Sequence, residues 1–416
     1  MKLVIVGGVA AGATAAARAR RVSENAEIAV FERGPYVSFA NCGLPYHVSG
    51  DIPRRSDLLL QTPEGFRRRY KVDVFVDTAG MAIDRARTAA ASPPTWCCSR
   101  SACGRSCDWP GRRAWRSARR GGLVVDEHMR TSDPDIYAAG DMVEFRQRIS
   151  GRTARVPLAG PANRQGRIAA SNALGLPTRF AGALGTSVVK VFDATAGMTG
   201  LGERAARAAG FDVGAAIVHK DHNASYYPGA AELTLKLVYD RRTTRVLGAQ
   251  AFGGAGIDKR SDVIATALAG NLAASDLADL DLAYAPPYSW ANDPINVAAL
   301  AGLNDSSGFS PMVTAAELRD QLPDVCLLDV RSRAEYREAH LRGAASVPVD
   351  RLREHLGDIP RGRRIVAYCR SGLRSHLAVR ILREHDFADV AHVTGGLVTL
   401  ELAGGLAIDR GTEVAA

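Results

Sequence analysis

Apolar and polar positions along this chain follow two rhythms. Residues 3–6 form a short continuous apolar run, as a strand buried on both faces does. Residues 10–21 then carry alanines at helical spacing with arginines on the other face. A second strand is expected at 27–32 (EIAVFE), a helix at 62–70 (TPEGFRRRY), and strands at 72–76 and 81–86. A helix is expected at 161–174. Strands follow at 185–193, 231–240 and 246–254, with a helix at 261–270. Residues 304–310 (NDSSGFS) read as a polar linker. Beyond it, helices at 315–322, 333–341 and 374–385 alternate with strands at 325–332 and 363–369, the pattern of a compact α/β unit.

The first of these units carries chemistry. Gly7, Gly8 and Gly12 turn a strand into a helix, and Glu32 closes the next strand about 20 residues beyond Gly12. Glycines let the backbone approach a pyrophosphate, the helix N-terminus presents N–H donors, and the acid suits a ribose hydroxyl. The strand before, the helix after and the spacing of the acid together make a dinucleotide site the expected reading, with Arg33 beside the acid.

Composition narrows the classes. The chain has 416 residues, room for about two to four domains. Its net charge of +9 comes without a basic block interleaved with aromatics, so nucleic acid is not an expected partner. The N-terminal apolar run is broken by glycines at phosphate-loop spacing, which argues against a signal peptide. No apolar run reaches the roughly 18 residues of a membrane span. Seven cysteines without a paired framework suit a reducing compartment, so a cytoplasmic location is expected.

One of those cysteines lies in Ser38-Phe39-Ala40-Asn41-Cys42-Gly43-Leu44-Pro45-Tyr46, just after the dinucleotide turn. This string resembles the single-cysteine branch of the pyridine nucleotide–disulfide oxidoreductases, most closely the coenzyme A disulfide reductases and CoA-persulfide reductases. The resemblance implies FAD as cofactor, a homodimer, and Cys42 alternating between thiolate and a mixed disulfide with CoA. It also places Thr14, Arg18, Arg21, Ser38 and Asn41 where that family contacts CoA. Arg18 and Arg21 stand one helical turn apart, so both can face one anionic ligand.

Residues 131–141 resemble the family's second flavin motif, with a strand ending at Gly140 and Asp141 accepting from the ribityl hydroxyls at a following helix N-terminus. Residues 222–229 and 284–288 resemble its interface segments. By that resemblance Tyr226 and Tyr284 reach the partner subunit's cysteine and pass a proton to a departing CoA thiolate. Asn292 stands where the family often has a lysine, which removes one expected CoA contact.

Residues 88–120 are anomalous. They hold Trp96, Trp109 and Trp115, and Cys97, Cys98, Cys103 and Cys107, with no apolar period of 3.6 or 2.0. A zinc cluster would need paired CxxC spacing, which Cys98-x4-Cys103-x3-Cys107 lacks, so no metal is expected. A linker is a second reading. A shifted reading frame is the third and favoured one: read one base earlier, degenerate codons for PTWCCSRSACGR permit Asp-Leu-Val-Leu-Leu-Ala-Val-Gly-Val-Arg-Pro, a buried strand and turn. The family's NAD(P)H domain usually lies between the two halves of the flavin domain. No second glycine-rich strand–helix turn occurs between Ala86 and Gly121, so the nicotinamide site is expected to be absent.

The C-terminal unit, with its loop Cys369-Arg370-Ser371-Gly372-Leu373-Arg374, resembles rhodanese over about 310–411. Converging N–H groups and a helix N-terminus at such a loop stabilise a thiolate or persulfide anion, and Arg370 and Arg374 add charge for an anionic, thiosulfate-like donor. Asp329 resembles the family's structural acid, tied to Arg331, and Cys326 reads as core.

The expected fold is therefore α/β. A Rossmann-like FAD domain spans 1–87 and 121–180, interrupted by 88–120; an α+β dimerisation domain covers 185–303, and a C-terminal α/β rhodanese domain 310–411. The expected function is FAD-dependent reduction of CoA disulfide or CoA persulfide, coupled to sulfur transfer, with NADH or NADPH as the family's reductant and the reductase half impaired. Two alternatives stand beside it. One is a rhodanese sulfurtransferase on a defunct flavoprotein scaffold; the other is a flavoenzyme resembling NADH oxidases and peroxidases.

Overall fold

The computed structural model describes residues 1–81, 83 and 121–411, and the backbone of 95–98. It divides into two compact units, Met1–Gly185 and Thr186–Ala416.

The first unit is built on a parallel sheet. Strands β1 (Lys2–Val6), β2 (Glu27–Phe31), β3 (Asp73–Phe75), β4 (Thr95–Cys98) and β6 (Ile136–Ala138) lie in the order β3-β2-β1-β4-β6. A smaller sheet joins β5 (Leu123–Val124), β7 (Val143–Arg146) and β8 (Thr153–Ala154). The helices are α1 (Ala10–Val22), α2 (Leu44–Val48), α3 (Pro63–Tyr70) and α4 (Ala159–Ala173). Helix α1 buries Ala11, Ala15, Ala16 and Ala19. These small side chains let α4 pack so closely that a Cβ on Gly166 would lie 2.2 Å from the Ala11 carbonyl oxygen. A Cβ on Gly12 would lie 1.7 Å from the Gly7 carbonyl oxygen, so the tight first turn of α1 admits only glycine there.

Two expectations change here, and others fall on residues that are not described. The anomalous segment carries no strand period, yet the backbone of Thr95–Cys98 pairs in parallel with both β1 and β6. Backbone hydrogen bonds need no side-chain period, which is why the pattern does not announce this strand. The other residues of 88–120, including the frame-shift reading and the remaining cysteines, lie outside the described residues, as does most of the strand expected at 81–86. Finally, Gly140 and Asp141 lead into a turn and β7, because the chain doubles back to pair β7 with β5 and β8 before α4 begins.

The second unit holds two five-stranded sheets and a two-stranded one. An antiparallel sheet runs in the order β11-β12-β13-β10-β9, from β9 (Ser187–Val191), β10 (Ala194–Gly200), β11 (Val213–Asp221), β12 (Glu232–Asp240) and β13 (Val246–Gly253). Helices α5 (Glu203–Ala209), α6 (Ile257–Gly270), α7 (Ala274–Ala278) and α8 (Pro294–Ser306) accompany it. The parallel sheet beyond runs β14-β19-β18-β15-β17, from β14 (Met312–Val313), β15 (Val325–Asp329), β17 (Ala345–Ser346), β18 (Arg364–Tyr368) and β19 (Val390–Val393). Strands β16 (Ala339–Leu341) and β20 (Ile408–Arg410) pair separately, and helices α9 (Ala315–Gln321), α10 (Arg333–Glu338), α11 (Leu373–Glu384) and α12 (Gly396–Ala403) complete the unit.

The expected linker at 304–310 begins as helix. Asp305, in the last turn of α8, accepts hydrogen bonds from the Tyr239 hydroxyl (2.7 Å), Arg241 Nε (3.0 Å) and the Met312 N–H (2.7 Å). A residue that reads as a solvated spacer is thus an anchor between the two five-stranded sheets of this unit.

Replacing Gly166 by alanine is expected to push α4 off α1 and destabilise the first unit by about 1–3 kcal/mol, as overpacking does; a lowered urea midpoint with an unchanged melting of the second unit checks it.

Candidate functional site

In the first unit the residues expected to hold a dinucleotide come together. Glu32, buried just past β2, accepts from the Gly8 N–H at 2.7 Å and the Gly34 N–H at 2.9 Å. Helix α1 has no side-chain cap and no acid in its first turn, so its N–H groups are left for an anion. Ser38 sits in the left-handed region at φ 53°, and its N–H donates to the Gly8 carbonyl at 2.7 Å, which fastens the cysteine loop to the glycine turn. Gly140 packs over α1 and donates its N–H to the buried Gln165 Oε1 at 2.8 Å. Asp141 holds Arg155 through its carbonyl. Arg33 flanks Glu32 and is exposed. An uncapped helix start with N–H donors, a buried acceptor acid at the strand end and a pinned loop suit a dinucleotide.

Cys42 lies in a short turn, Asn41–Gly43, and is exposed, as is Asn41. The CoA-family positions divide. Thr14 Oγ1 donates to Asn163 Oδ1 at 3.1 Å and Arg18 Nε to Ser171 Oγ at 2.9 Å, so both link α1 to α4. Arg21 Nε is turned back on its own helix, to the Ala17 carbonyl at 2.9 Å. Arg20, which sequence reasoning passes over, is buried and clamps the Tyr70 and Lys71 carbonyls, each at 2.7 Å.

In the second unit Tyr226 and Tyr284 meet. The neighbouring Tyr284 hydroxyl raises the Tyr226 phenol above its ordinary range. Both rings are largely exposed, Tyr226 at 72%. Their loops are joined by Arg260, 1% exposed, which no motif marks. Its Nη2 donates to Asp293 Oδ2 at 2.7 Å, to the His222 carbonyl at 2.8 Å and to Ser289 Oγ at 3.3 Å. Asp293 in turn caps α8 through the Ile295 N–H. Lys220 Nζ donates to the Asn292 carbonyl at 3.0 Å and stacks on Trp290, a cation close to the position where the lysine is lacking.

Cys369 follows β18 and is 1% exposed. Its Sγ accepts from the Gly372 N–H at 3.1 Å and from Ser375 Oγ at 3.6 Å, at the start of α11. Arg370 is exposed. Arg374 forms a bidentate pair with Glu335, both contacts at 2.7 Å, and this holds the Glu335 carboxyl down at about 2. Its charge is therefore largely met by Glu335. Asp329 binds Arg331 at 2.6 Å, as the resemblance implies. Cys326 is half-buried on the wall of a cavity of about 350 Å³, and burial pushes its thiol up.

The comparisons agree with this geometry. The pattern of a rhodanese-like domain matches residues 314–402, that of the pyridine nucleotide-disulphide oxidoreductase dimerisation domain 186–293, and that of the pyridine nucleotide-disulphide oxidoreductases 102–166. The chain is 42% identical over 184 residues to the "NAD(P)H sulfur oxidoreductase (CoA-dependent)" of Pyrococcus abyssi, covering 44% of this chain and 41% of that protein. The chain thus spans about two fifths of the curated relative it matches. Among solved structures, reduced Bacillus anthracis CoADR-RHD superposes with a TM-score of 0.86 at 29% identity, covering 96% of this chain and 97% of that one. A NAD-dependent persulfide reductase from A. fulgidus gives 0.82 at 28% identity, with 96% and 100% covered. The chain thus carries segments that match the pyridine nucleotide-disulphide oxidoreductases and their dimerisation domain, joined to a rhodanese-like domain. Among the described residues there is no candidate metal cluster and no helix long and apolar enough to cross a membrane.

His392, behind the cysteine loop with Nδ1 3.5 Å from Ser375 Oγ, is pushed down to about 3 by burial and by His376. Below pH 6.5 the unfolded chain takes up a proton that folded His392 refuses until about pH 3, so stability falls as pH falls through that window. The expected slope is about 1.4 kcal/mol per pH unit. Denaturant melts between pH 7 and 5 should show it, and His392→Leu should flatten it by one proton's worth.

Proposed function

We propose that this chain is an FAD-dependent reductase of CoA disulfide or CoA persulfide coupled to a sulfurtransferase domain. The observation that carries the reading is Cys369: a buried sulfur receiving the Gly372 N–H at the mouth of α11, on a chain whose other half holds a dinucleotide turn and an exposed cysteine beside it. Its thiolate attacks the outer sulfur of a thiosulfate-like donor. The S–S bond breaks, sulfite leaves with the bonding pair, and a Cys369 persulfide remains. The thiolate of CoA then attacks the outer persulfide sulfur and releases the Cys369 thiolate, giving CoA persulfide.

At the other centre, the Cys42 thiolate attacks the sulfur bound to CoA. A CoA disulfide yields a Cys42–CoA mixed disulfide and a CoA thiolate, to which Tyr226 and Tyr284 of the partner subunit would give a proton. Gly7, Gly8, Gly12 and the start of α1 would hold the FAD pyrophosphate, Glu32 with Arg33 the ribose side, and Gly140 with Asp141 the ribityl chain. When bound, the flavin supplies the electron pair that splits the mixed disulfide. Thr14, Arg18, Arg21, Ser38 and Asn41 would hold CoA. The exposed apolar residues Val189, Val191, Phe192 and Phe252 support a homodimer through the antiparallel sheet. A cytoplasmic setting suits these free thiols.

A second reading, sulfur transfer alone on a defunct flavoprotein scaffold, is favoured by the lack of a second glycine-rich turn between Ala86 and Gly121. Two measurements decide. Thiosulfate-to-cyanide transfer is expected from the wild type and should fall to background in Cys369→Ala; an inactive wild type ends the sulfurtransferase reading. The purified chain is expected to be yellow. Anaerobic NADPH or NADH should bleach it slowly or not at all if the nicotinamide site is lost, whereas dithionite should bleach it fully; a colourless protein that takes up no added FAD ends the flavin reading.

A further inference from the structure

The backbone that carries Cys369 is held from outside its own loop. The Cys369 carbonyl accepts from the Leu397 N–H at 2.8 Å and the Arg370 carbonyl from the Val398 N–H at 3.2 Å, both in the first turn of α12. That turn approaches so closely that a Cβ on Gly396 would lie 2.4 Å from the Cys369 carbonyl oxygen. Its other side is held by the antiparallel sheet. The Ile217 N–H donates to Thr394 Oγ1 at 2.7 Å, and His219 Nε2 lies 2.8 Å from Thr399 Oγ1 on α12. His219 Nδ1 is 2.8 Å from Thr234 Oγ1 on β12, so the imidazole is fixed at both nitrogens between two strands and a helix. A Cβ on Gly395 would come within 3.0 Å of His219 Nε2, which leaves the turn no room to move toward β11. Burial, with Arg370 nearby, holds the imidazole below its usual range against the pull of Glu232.

We infer that His219 is a positioning residue for sulfur transfer: by gripping Thr399 it sets where α12 holds the Cys369–Arg370 backbone, so the dimerisation-type sheet helps set the rhodanese rate. The inference rests on the reading of Cys369 as the sulfur-accepting thiol. His219 does not touch the donor; it acts through Thr399, the α12 turn and two backbone hydrogen bonds. Its loss lets the loop carbonyls shift, and with them the Gly372 N–H that meets the sulfur.

The test uses the full chain and thiosulfate-to-cyanide transfer, with a thermal melt of each variant. His219→Ala and Thr399→Val are each expected to lower kcat roughly fivefold, the worth of one hydrogen bond, with KM for thiosulfate unchanged. The double variant should be no slower than either single one, since both break the same link. His219→Gln, which can still reach Thr399, should restore most of the rate; His219→Asn, which reaches only Thr234, should not. Thr399→Val keeps shape and volume, so it reports even if His219→Ala fails to fold. Wild-type kcat in Thr399→Val, additive losses in the double variant, or equal rescue by Asn and Gln would overturn the inference. A wild type without transfer activity removes the reading of Cys369 and the inference with it, whereas an active wild type beside fully active variants removes the inference alone.

Discussion

The buried ion pair between Arg260 and Asp293 is the interaction on which the second unit depends. A guanidinium 1% exposed is tolerable only when its donors are met, and Arg260 meets them with Asp293, Ser289 and the carbonyls of His222 and Gly256. Removing one partner of such a pair leaves a buried charge uncompensated, at a cost of about 3–5 kcal/mol. The geometry explains what the pair is for. The segments bearing Tyr226 and Tyr284 are more than fifty residues apart in sequence, and Arg260 joins their loops across that gap. Asp293 also caps α8, which packs on β11 and β12. Strand β11 then carries Ile217 and His219 to the rhodanese turn.

The first unit reaches its form by the opposite means. It relies on the absence of side chains, with alanines along α1 and glycines at the crossings with α4 and within the phosphate turn. Close approach lets backbone groups do the work that Arg260 does elsewhere. The glycine turn accepts from Ser38, and Glu32 collects the Gly8 and Gly34 N–H groups. The cysteine loop is thereby pinned to the glycine turn by a main-chain contact, with a strained Ser38 as the pin. A cofactor that binds by backbone contact gains from such a scaffold, because little has to be ordered when it arrives.

Around Cys369 the charges are arranged with restraint. Arg374, which the loop alone offers as a donor-binding cation, is paired with Glu335, and Arg331 with Asp329. Arg370 is left exposed as the loop's nearest cation to solvent. An anionic donor would thus meet local charge at the rim, while the sulfur itself is met by the Gly372 N–H. Neutral, buried His392 closes the floor behind Ser375 without adding a charge that would compete.

Features whose cause is local are legible in the amino-acid sequence itself. The glycine turn and the helix of 10–21 follow from neighbours along the chain, because phosphate turns and helix starts are built from consecutive residues, and the resemblance to rhodanese adds the Cys369 loop and the Asp329–Arg331 tie. The resemblance of the cysteine string and the tyrosine segments carries the site further than periodicity can. What the tertiary structure decided is the pairing of distant polar groups and of bare backbone. Arg260 lies just ahead of the helix expected at 261–270, with nothing to mark its partner thirty-three residues away. Asp305 has the look of linker until Tyr239 and Arg241 close on it. Thr95–Cys98 has no strand pattern and becomes an interior strand because β1 and β6 offer their backbone groups on either side. A sequence specifies which groups must be satisfied; only the folded chain specifies which distant group satisfies them.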